Sequence, residues 1–217
     1  MCALRSTTAL AGTSLRATNE RYHGAVTVPA PKRATRAELD ALPPGVTGEL
    51  IRGVLHTMPR PRPRHATSAT RIGGRVQGGY QFGDGGAPGG WWIVAEPGIQ
   101  LAQLDVEEIV PDVAGWRCER MAELPERFTT APDWVCEVLS PCTRRHDLRT
   151  KRPLYAEAGV AWMWIVDVDA RTLTASRLSE GKWLELGVWS DDDVARIEPF
   201  DALELKLSEL WGDASTP

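Results

Sequence analysis

The chain has 217 residues, of which 42% are hydrophobic and 25% are charged, so it can bury one sizeable core and is predicted to form one main domain. Its formal net charge of −4 argues against a protein that coats nucleic acid through bulk positive charge. The longest apolar run, near residues 161–166, is too short to span a bilayer, and the first 20 residues lack the apolar block of a secretory signal. The composition therefore predicts a cytoplasmic globular protein without a membrane partner.

Both ends of the chain are predicted to lie outside the folded domain. Residues 1–33 are rich in Ala, Thr, Ser and Arg and show little apolar periodicity, which indicates a flexible N-terminal extension. Residues 34–212 carry the periodic segments of one domain, and residues 213–217 form a short tail.

The domain is predicted to begin with a short helix and a β-hairpin. In the segment TRAELDALP, Thr35 at the N-cap and Glu38 three residues later form a capping-box pattern, which two prolines close. The segment GELIRGVLHTM alternates apolar and polar residues, which indicates a hairpin with Gly53 near its turn. A second helix is expected over residues 65–80, although its glycines weaken it, and the segment FGDGGAPGG then forms a loop.

Five β-type segments and one crossover helix follow. The segments are WWIVAEPGIQL, EEIVPDVAGWR, PDWVCEVLS, VAWMWIVDV and TLTASRL. The helix, near residues 154–158, lies between the third and the fourth segment; Pro153 suits its first turn and is expected to keep Arg152 out of the α region. Lys151 is therefore placed just ahead of this helix or on a kinked turn before it. The last stretch, FDALELKLSELW, is expected to be a loop that leads into a small helical turn, and the whole order indicates an α/β fold.

The four cysteines give no sign of a zinc site or a disulfide. Cys2, Cys118, Cys136 and Cys142 form no CxxC pair. Together with His146, two of them make at most a thin metal-binding pattern, so reduced thiols are expected.

Two carboxylates, Asp112 and Glu137, lie on consecutive β-type segments. Asp112 follows Pro111 in one segment, and Glu137 lies near the end of the next. If these strands are neighbours, the two carboxylates can converge at one sheet edge, where their repulsion requires a cation between them. Mg²⁺ suits such a pair, because it takes oxygen ligands and often uses only one or two carboxylates plus substrate phosphate. The alternative, in which Asp112 caps a turn and Glu137 pairs with a neighbouring arginine, stays open.

Positive charge is concentrated in two segments. The first carries Arg60, Arg62, Arg64, Arg71 and Arg75, and the second carries Arg144, Arg145, Arg149, Lys151 and Arg152. Two solvated surfaces would explain both clusters, whereas cations that flank the same carboxylates would bind phosphate. Charge alone does not decide between these interpretations.

Several motifs resemble those of a known family. In chain order they are GELIRG, VPDVAGW, PDWVCEVLSP, DLRTKRPLYAEAGV and WIVD, and the likeness spans residues 35–211. They resemble the bacterial Uma-two family of restriction endonucleases, which carries a diverged PD-(D/E)XK nuclease core. The resemblance implies an αβββαβ-type core, with a mixed central sheet flanked by helices. It further implies that Asp112 and Glu137 hold Mg²⁺ and that Glu49 is an auxiliary acid.

The sequence departs from the family pattern at two positions. The motif lysine, expected two residues after Glu137, is replaced by Leu139, which cannot contact a nucleophile. Lys151 is the candidate replacement, because the family usually carries a lysine there and its long side chain could reach back to the same sheet edge. Val54 lies where relatives often have another glutamate, which weakens the case for Glu49 as a ligand.

The resemblance implies a DNA endonuclease with Mg²⁺, or Mn²⁺, as cofactor. Lys151 would stabilise the hydroxide nucleophile or the developing charge. Phosphate contacts would come from both basic segments, through Arg62, Arg64, His65, Arg144, Arg145 and Arg149; His65 could equally cap its helix. Two other functions stay open: a nuclease fold that has lost cleavage and binds nucleic acid or a protein partner, and a hydrolase of another substrate. A homodimer is also compatible with the sequence.

Overall fold

The structure, a computed structural model, describes residues 32–212. Residues 1–31 and 213–217 lie outside the described residues, and with them nearly all of the predicted N-terminal extension and the whole predicted tail. The described chain contains a six-stranded sheet, a four-stranded sheet and a two-stranded ribbon. None of its helices is long and apolar enough to cross a membrane.

Four helices and twelve strands make up the described chain. The helices are α1 (Arg36–Asp40), α2 (Pro63–Tyr80), α3 (Arg144–His146) and α4 (Arg152–Glu157), and a π-helical turn, Asp147–Lys151, joins the last two. The strands are β1 (Val46–Ile51), β2 (Val54–Pro59), β3 (Trp91–Ala95), β4 (Ile99–Leu101), β5 (Val106–Ile109), β6 (Val113–Arg117), β7 (Trp134–Leu139), β8 (Trp162–Asp167), β9 (Thr172–Ser179), β10 (Lys182–Ser190), β11 (Val194–Ala195) and β12 (Leu205–Lys206).

The first elements follow the predicted signals. The Thr35 side chain accepts the backbone N–H of Glu38, and the Glu38 carboxylate accepts that of Thr35, so the predicted capping box is confirmed. β1 and β2 form the predicted hairpin. Its turn residues, Arg52 and Gly53, have φ of 54° and 74°, the signature of a type I′ turn. β5 pairs with the other side of β1, and β4 with β5, which completes the four-stranded sheet.

The central sheet has the strand order β10-β9-β8-β7-β6-β3. It is mixed, because β7 and β8 run parallel while the other pairs are antiparallel. The parallel pair requires a crossover, which α3, the π-helical turn and α4 provide. Ile72 and Val76 of α2 pack in the core on one face of the sheet, and Leu154 and Tyr155 of α4 in the core on the other. The predicted fold class, a mixed sheet flanked by helices, is confirmed.

Two predicted β segments divide where the chain passes from one sheet to the other. WWIVAEPGIQL forms β3 and β4, and EEIVPDVAGWR forms β5 and β6, so the prediction of one strand for each was wrong. Pro97 in the first segment and Pro111 in the second cannot donate to a strand ladder, and Glu96 adopts φ of 47° beside Pro97. Asp112 consequently precedes β6 instead of lying within a strand.

The crossover is one helical segment from α3 to α4, of which the sequence predicts only residues 154–158. Lys151 ends the π-helical turn directly ahead of α4, as predicted. Arg152 adopts φ −56° and ψ −47°, so the prediction that Pro153 keeps it out of the α region is wrong. The π-helical turn explains this result, because the bond from the Arg152 N–H to the Asp147 carbonyl widens the helix and makes room for the proline ring.

The C-terminal part of the central sheet is longer than the sequence predicts. The turn residues Glu180 and Gly181, with φ of 50° and 73°, lead from β9 into β10. A bulge between Glu185 and Gly187 of β10 changes the strand register. The side chains after the bulge therefore point to the opposite face of the sheet, so the strand does not show a continuous alternation of apolar and polar residues in the sequence. The predicted terminal helical turn is confirmed as the 3₁₀ turn Leu207–Glu209.

Aromatic side chains fill the core between α2 and the central sheet. Phe200 contacts Trp91, Trp134 and Trp164 edge to face, with ring centroids 5.0, 4.8 and 5.6 Å away. Trp134 and Trp164 are fully buried, so these rings pack the core and do not present a face to a nucleotide base.

Replacing Trp134 should destabilise the whole domain. Trp134→Ala is expected to lower the free energy of unfolding by about 3–5 kcal/mol, because it removes a buried ring and leaves a cavity. Urea denaturation followed by circular dichroism measures the loss. The matched control is Leu184→Ala in β10, where the residue is 50% exposed and a change within about 0.5 kcal/mol is expected. Equal losses in the two variants would contradict this assignment of the core.

Candidate active site

A cleft of about 470 Å³ lies between the connection from β2 to α2 and the loop after β7. The ionisable side chains that line it include a group of five: Glu49 from β1, Asp112 ahead of β6, Glu137 from β7, and Asp147 and Lys151 from the π-helical turn. All except Asp112 are buried, with no more than 3% of each residue exposed. Because burying a charge is unfavourable unless it is paired, the contacts among these groups determine which of them stay charged.

The Lys151 ammonium lies at the centre of the group. Its Nζ is 2.7 Å from Glu137 Oε1 and 3.2 Å from Glu49 Oε1, and it donates to the carbonyl oxygen of Val110 at 2.9 Å. Asp147 Oδ1 is further away, at 3.7 Å. Burial by itself would lower the pKa of Lys151, but the surrounding carboxylates outweigh burial and raise that pKa, so the side chain keeps its charge.

Glu49 is held through both of its carboxylate oxygens. Oε1, which faces Lys151, accepts the Val110 N–H at 2.9 Å, and Oε2 accepts His146 Nε2–H at 2.5 Å. Burial opposes ionisation of Glu49, but Lys151, His146 and the Val110 N–H together lower its pKa to about 2. Glu49 is therefore an ionised group that protein donors already surround.

Glu137 projects from β7 towards α4. The Tyr155 hydroxyl donates to Glu137 Oε1 at 2.7 Å, the same oxygen that Lys151 contacts. Burial raises the pKa of Glu137 well above its usual range, and the nearby Asp147 and Asp112 add to the rise although Lys151 opposes it. The alternative that Glu137 pairs with an arginine is wrong, because its cationic partner is Lys151.

Asp112 reaches the same cleft from the crossing between β5 and β6. Its Oδ2 accepts the backbone N–H of Val138 at 2.7 Å and lies 3.4 Å from His65 Nε2. Burial acts to lower the pKa of His65, but the Asp112 carboxylate outweighs it and raises that pKa. Because β6 and β7 are paired neighbours, the structure brings Asp112 and Glu137 to one cleft, although Asp112 also caps a backbone group.

Negative charge exceeds positive charge at the centre of the cleft. Four carboxylates influence the single ammonium of Lys151: Glu137, Glu49, Asp147 and Asp112. Asp147 shows the consequence, since burial raises its pKa and the charges of Asp112 and Glu49 raise it further against the effect of Lys151. Buried groups with perturbed pKa values in a cleft are typical of functional sites. An additional cation would relieve this repulsion.

The two predicted metal ligands each retain one oxygen without a hydrogen bond from the described chain. These oxygens are Asp112 Oδ1 and Glu137 Oε2, and both residues line the cleft. Within residues 32–212, no group of three or more His, Cys, Asp and Glu side chains is arranged to hold a metal ion. Two carboxylate oxygens of this kind are donors that a hard cation such as Mg²⁺ accepts, because Mg²⁺ often takes only one or two carboxylates and completes its shell with water and substrate oxygens.

The predicted phosphate-binding residues of the first basic segment lie at or near the mouth of the cleft. Arg62 lines it directly, together with Arg60, and both side chains are exposed. His65 also lines it, from the first turn of α2, but is buried. Arg64 is exposed on the same turn and is not among the described residues that line the cleft.

The arginines of the second basic segment differ in whether they form an ion pair, and those without one are called unengaged below. Arg144 forms an ion pair with Asp167, whose pKa it lowers against the opposing effect of burial. Arg145 and Arg149 are exposed, and neither makes an ion pair within the described part of the chain. Of the three, only Arg145 and Arg149 are therefore available to a phosphate without breaking an existing contact.

Three residues around Lys151 were missed or set aside on sequence alone. Asp147 and Tyr155 lie four positions before and after Lys151, the spacing that aligns side chains on one helix face. That spacing is a signal that could have found them once Lys151 was singled out. His146 carries no such signal, because its alignment with Lys151 depends on the π-helical turn.

The fold and the cleft define an α/β protein of the restriction-endonuclease-like class. The family described as "Uma2: Putative restriction endonuclease" matches residues 36–208, so the chain belongs to this family. One similar solved structure is described as "a putative nuclease belonging to DUF820", from Anabaena variabilis. It is 21% identical with a TM-score of 0.61, and the match covers 76% of this chain and 89% of that chain; at this identity, it shows the shared fold. No curated protein matches the sequence.

Neutralising Asp147 should stabilise the folded protein at neutral pH. The pKa of Asp147 is raised in the folded state, so its ionisation opposes folding at every pH above that folded value. Below the unfolded pKa of about 3.9, the side chain is protonated in both states and the effect vanishes. Asp147→Asn is therefore expected to unfold at a higher temperature than wild type at pH 7, with the difference shrinking as the pH falls towards 4.

The experiment is thermal unfolding in a chelating buffer across this pH range. The matched control is Asp192→Asn, since Asp192 is exposed in the turn after β10 and a surface change should stay within about 0.5 kcal/mol. A less stable Asp147→Asn variant at pH 7 would mean that the attraction between Asp147 and Lys151 exceeds the effect of burial.

Proposed function

We propose that the protein is a metal-dependent DNA endonuclease that hydrolyses phosphodiester bonds, with Mg²⁺ or Mn²⁺ held by Asp112 and Glu137. Membership of a family described as restriction endonucleases supports a nuclease function. The observation that carries the proposal is the buried Lys151 ammonium, 2.7 Å from Glu137 Oε1 in the cleft that Asp112 also lines. Phosphodiester hydrolysis uses this combination, because carboxylate oxygens hold the cation and positive charge balances the phosphate.

Lys151 supplies the charge that the motif lysine would otherwise provide. Leu139, at the motif position, is buried and apolar, with 6% of the residue exposed. The Lys151 side chain reaches Glu137 from the π-helical turn instead. The contact supports the interpretation that the third group of the motif has moved to another element and has not disappeared.

Different residues of the cleft have different roles in the proposed hydrolysis. When bound, the cation lowers the pKa of a water ligand and neutralises charge on the phosphate oxygens. Lys151 keeps a fixed positive charge in a site shielded from solvent, where it stabilises charge that develops on the substrate. Tyr155 and Lys151 hold Glu137 through Oε1, which fixes the direction of its other oxygen. Asp112 is fixed in the same way, because the Val138 N–H holds its Oδ2.

Three exposed arginines, one of them at the cleft, hold the DNA backbone. Arg62 lines the cleft, and Arg145 and Arg149 lie exposed on the helical segment that carries Lys151. Contacts of this kind bind backbone phosphates and position a duplex without reading its sequence. Because the chain carries a net charge of −4, only local groups of cations can attract DNA. Binding should therefore be weak and sensitive to salt.

A nuclease fold that only binds nucleic acid or a protein partner is the second candidate. The observation in its favour is that protein acceptors surround Lys151, since Val110 O, Glu137 Oε1 and Glu49 Oε1 all lie within 3.2 Å of Nζ. An ammonium has three N–H donors, so this network could be purely structural. Cleavage by the wild-type protein decides between the two candidates.

Removing the Lys151 amine should abolish most cleavage while sparing DNA binding. Lys151→Ala is expected to lower the single-turnover rate by roughly 100-fold or more, the scale for deleting one electrostatic stabiliser of a transition state. Lys151→Arg should not restore the rate, because a planar guanidinium does not replace a compact ammonium. The assay is cleavage of plasmid and of single-stranded DNA with Mg²⁺ or Mn²⁺.

Calorimetry on Asp112→Asn provides the companion measurement, since loss of this carboxylate is expected to remove metal binding that Lys151→Ala retains. A Lys151→Ala variant that cuts as fast as wild type would refute the role of this residue. Wild-type protein that never cuts DNA would favour the binding module.

The salt dependence of DNA binding should report the unengaged arginines. Arg145→Ala combined with Arg149→Ala is expected to reduce the slope of log K against log salt by about 0.9 for each duplex phosphate that the variant no longer binds. Fluorescence anisotropy at several salt concentrations measures the slope. Arg177→Ala is the control, because Arg177 of β9 already forms an ion pair with Glu198. If the slope of the double variant equals that of the control, these arginines do not bind DNA.

A further inference from the structure

The two oxygens of Glu49 leave little room for a metal ion. Oε1 accepts the Val110 N–H at 2.9 Å and lies 3.2 Å from Lys151 Nζ, while Oε2 accepts His146 Nε2–H at 2.5 Å. With 1% of the residue exposed, few further directions are open. Glu49 therefore differs from Asp112 and Glu137, each of which keeps an oxygen free of hydrogen bonds from the described chain.

The π-helical turn places His146 where it can share Glu49 with Lys151. In an α-helix, residues five positions apart point in directions about 140° apart, because each turn contains 3.6 residues. In the π-helical turn, the bond from the Arg152 N–H to the Asp147 carbonyl joins residues five positions apart, so such residues become neighbours. His146 and Lys151 are five apart, and both reach Glu49.

The β-hairpin holds His146 from its other side. His56 of β2 is directly opposite Glu49 of β1 in the strand register, and its ring centroid is 4.4 Å from that of His146. His146 is thus packed against His56 and hydrogen-bonded to Glu49, with its side chain 13% exposed. Its imidazole is held between two elements and faces a partner that is already ionised.

We propose that Glu49 and His146 form a positioning pair that holds the Lys151 ammonium against Glu137, and that neither residue binds the metal ion. This inference rests on the proposed nuclease function and assigns a task to two residues that touch neither substrate nor metal. Groups that orient a functional side chain through a fixed hydrogen bond act in this way in many sites. His146 fixes Glu49 through Oε2, and Glu49 fixes Lys151 through Oε1.

Without Glu49, the ammonium would lose one of its three close acceptors. Val110 O and Glu137 Oε1 would remain, at 2.9 and 2.7 Å, so the side chain would stay nearby but could rotate about its last bonds. Loss of His146 should disturb the position of the Lys151 ammonium less, because Lys151 would still contact Glu49. The Glu49 carboxylate would, however, be free to rotate. Glu49→Gln removes the negative charge that Lys151 and His146 share, whereas His146→Ala leaves that charge in place, so Glu49→Gln is expected to be the more damaging variant.

The test combines three measurements on the full chain. Glu49→Gln should lower the single-turnover cleavage rate by about 10- to 100-fold, leave the affinity for DNA unchanged, and leave Mg²⁺ or Mn²⁺ binding by calorimetry at the wild-type value. In metal-free protein, the ¹⁵Nζ-ammonium signal of Lys151, assigned by its loss in Lys151→Ala, should be sharp in wild type and broadened in Glu49→Gln. His146→Gln, which retains an N–H donor, should restore part of what His146→Ala loses.

The outcomes separate this proposal from the nuclease function itself. If Glu49→Gln loses metal binding as Asp112→Asn does, Glu49 is a metal ligand and the proposal is wrong. If Glu49→Gln and His146→Ala keep both the sharp Lys151 signal and wild-type cleavage, the pair positions nothing. If wild type never cleaves but the signal broadens as expected, the positioning pair stands and the nuclease function falls. Circular dichroism of every variant identifies any that fails to fold; if Glu49→Gln fails to fold, the comparison of His146→Ala with His146→Gln carries the test.

Discussion

The buried ammonium of Lys151 is the constraint on which the cleft depends. A charge with 3% of its residue exposed is tolerable only when close partners surround it, and here the partners come from separate parts of the chain. β1 provides Glu49, β7 provides Glu137, and the crossing between the two sheets provides the Val110 carbonyl. Each of these elements must therefore be in place before Lys151 can be buried, which couples the cleft to the assembly of both sheets.

The helical crossover meets this constraint through local geometry. Lys151 needs Glu49 on one side and Glu137 on the other, and a uniform α-helix would direct His146 away from both. The π-helical turn, which ends at Lys151, aligns His146 with Lys151 towards the carboxylates, and Tyr155 follows on the same face four positions later. Single π-helical turns within helices are frequent at functional sites.

The sequence predicts the positions of the acids better than their surroundings. The capping box at Thr35, the hairpin at Gly53 and the strand that carries Glu137 follow from short-range patterns, and the structure confirms them. The crossing at residues 110–112 and the π-helical turn do not follow from such patterns. Both depend on contacts between residues far apart in the chain, such as that from Lys151 Nζ to Val110 O. Family resemblance could place Lys151 near the acids, but not the orientation of its side chain.

The proposed role of Lys151 would account for the absence of the motif lysine. Residues 137 and 139 of a strand share a face, so a lysine at position 139 would extend towards the same acids. It would then reach the Glu137 carboxylate that Lys151 Nζ already contacts at 2.7 Å, so the two lysines would compete for one acceptor. Leu139 instead fills that space with an apolar side chain of which 6% is exposed. Glu137 needs one ammonium beside it, and either β7, at position 139, or the π-helical turn, at Lys151, could supply that ammonium. The apolar Leu139 is therefore compatible with a site in which Lys151 supplies the positive charge.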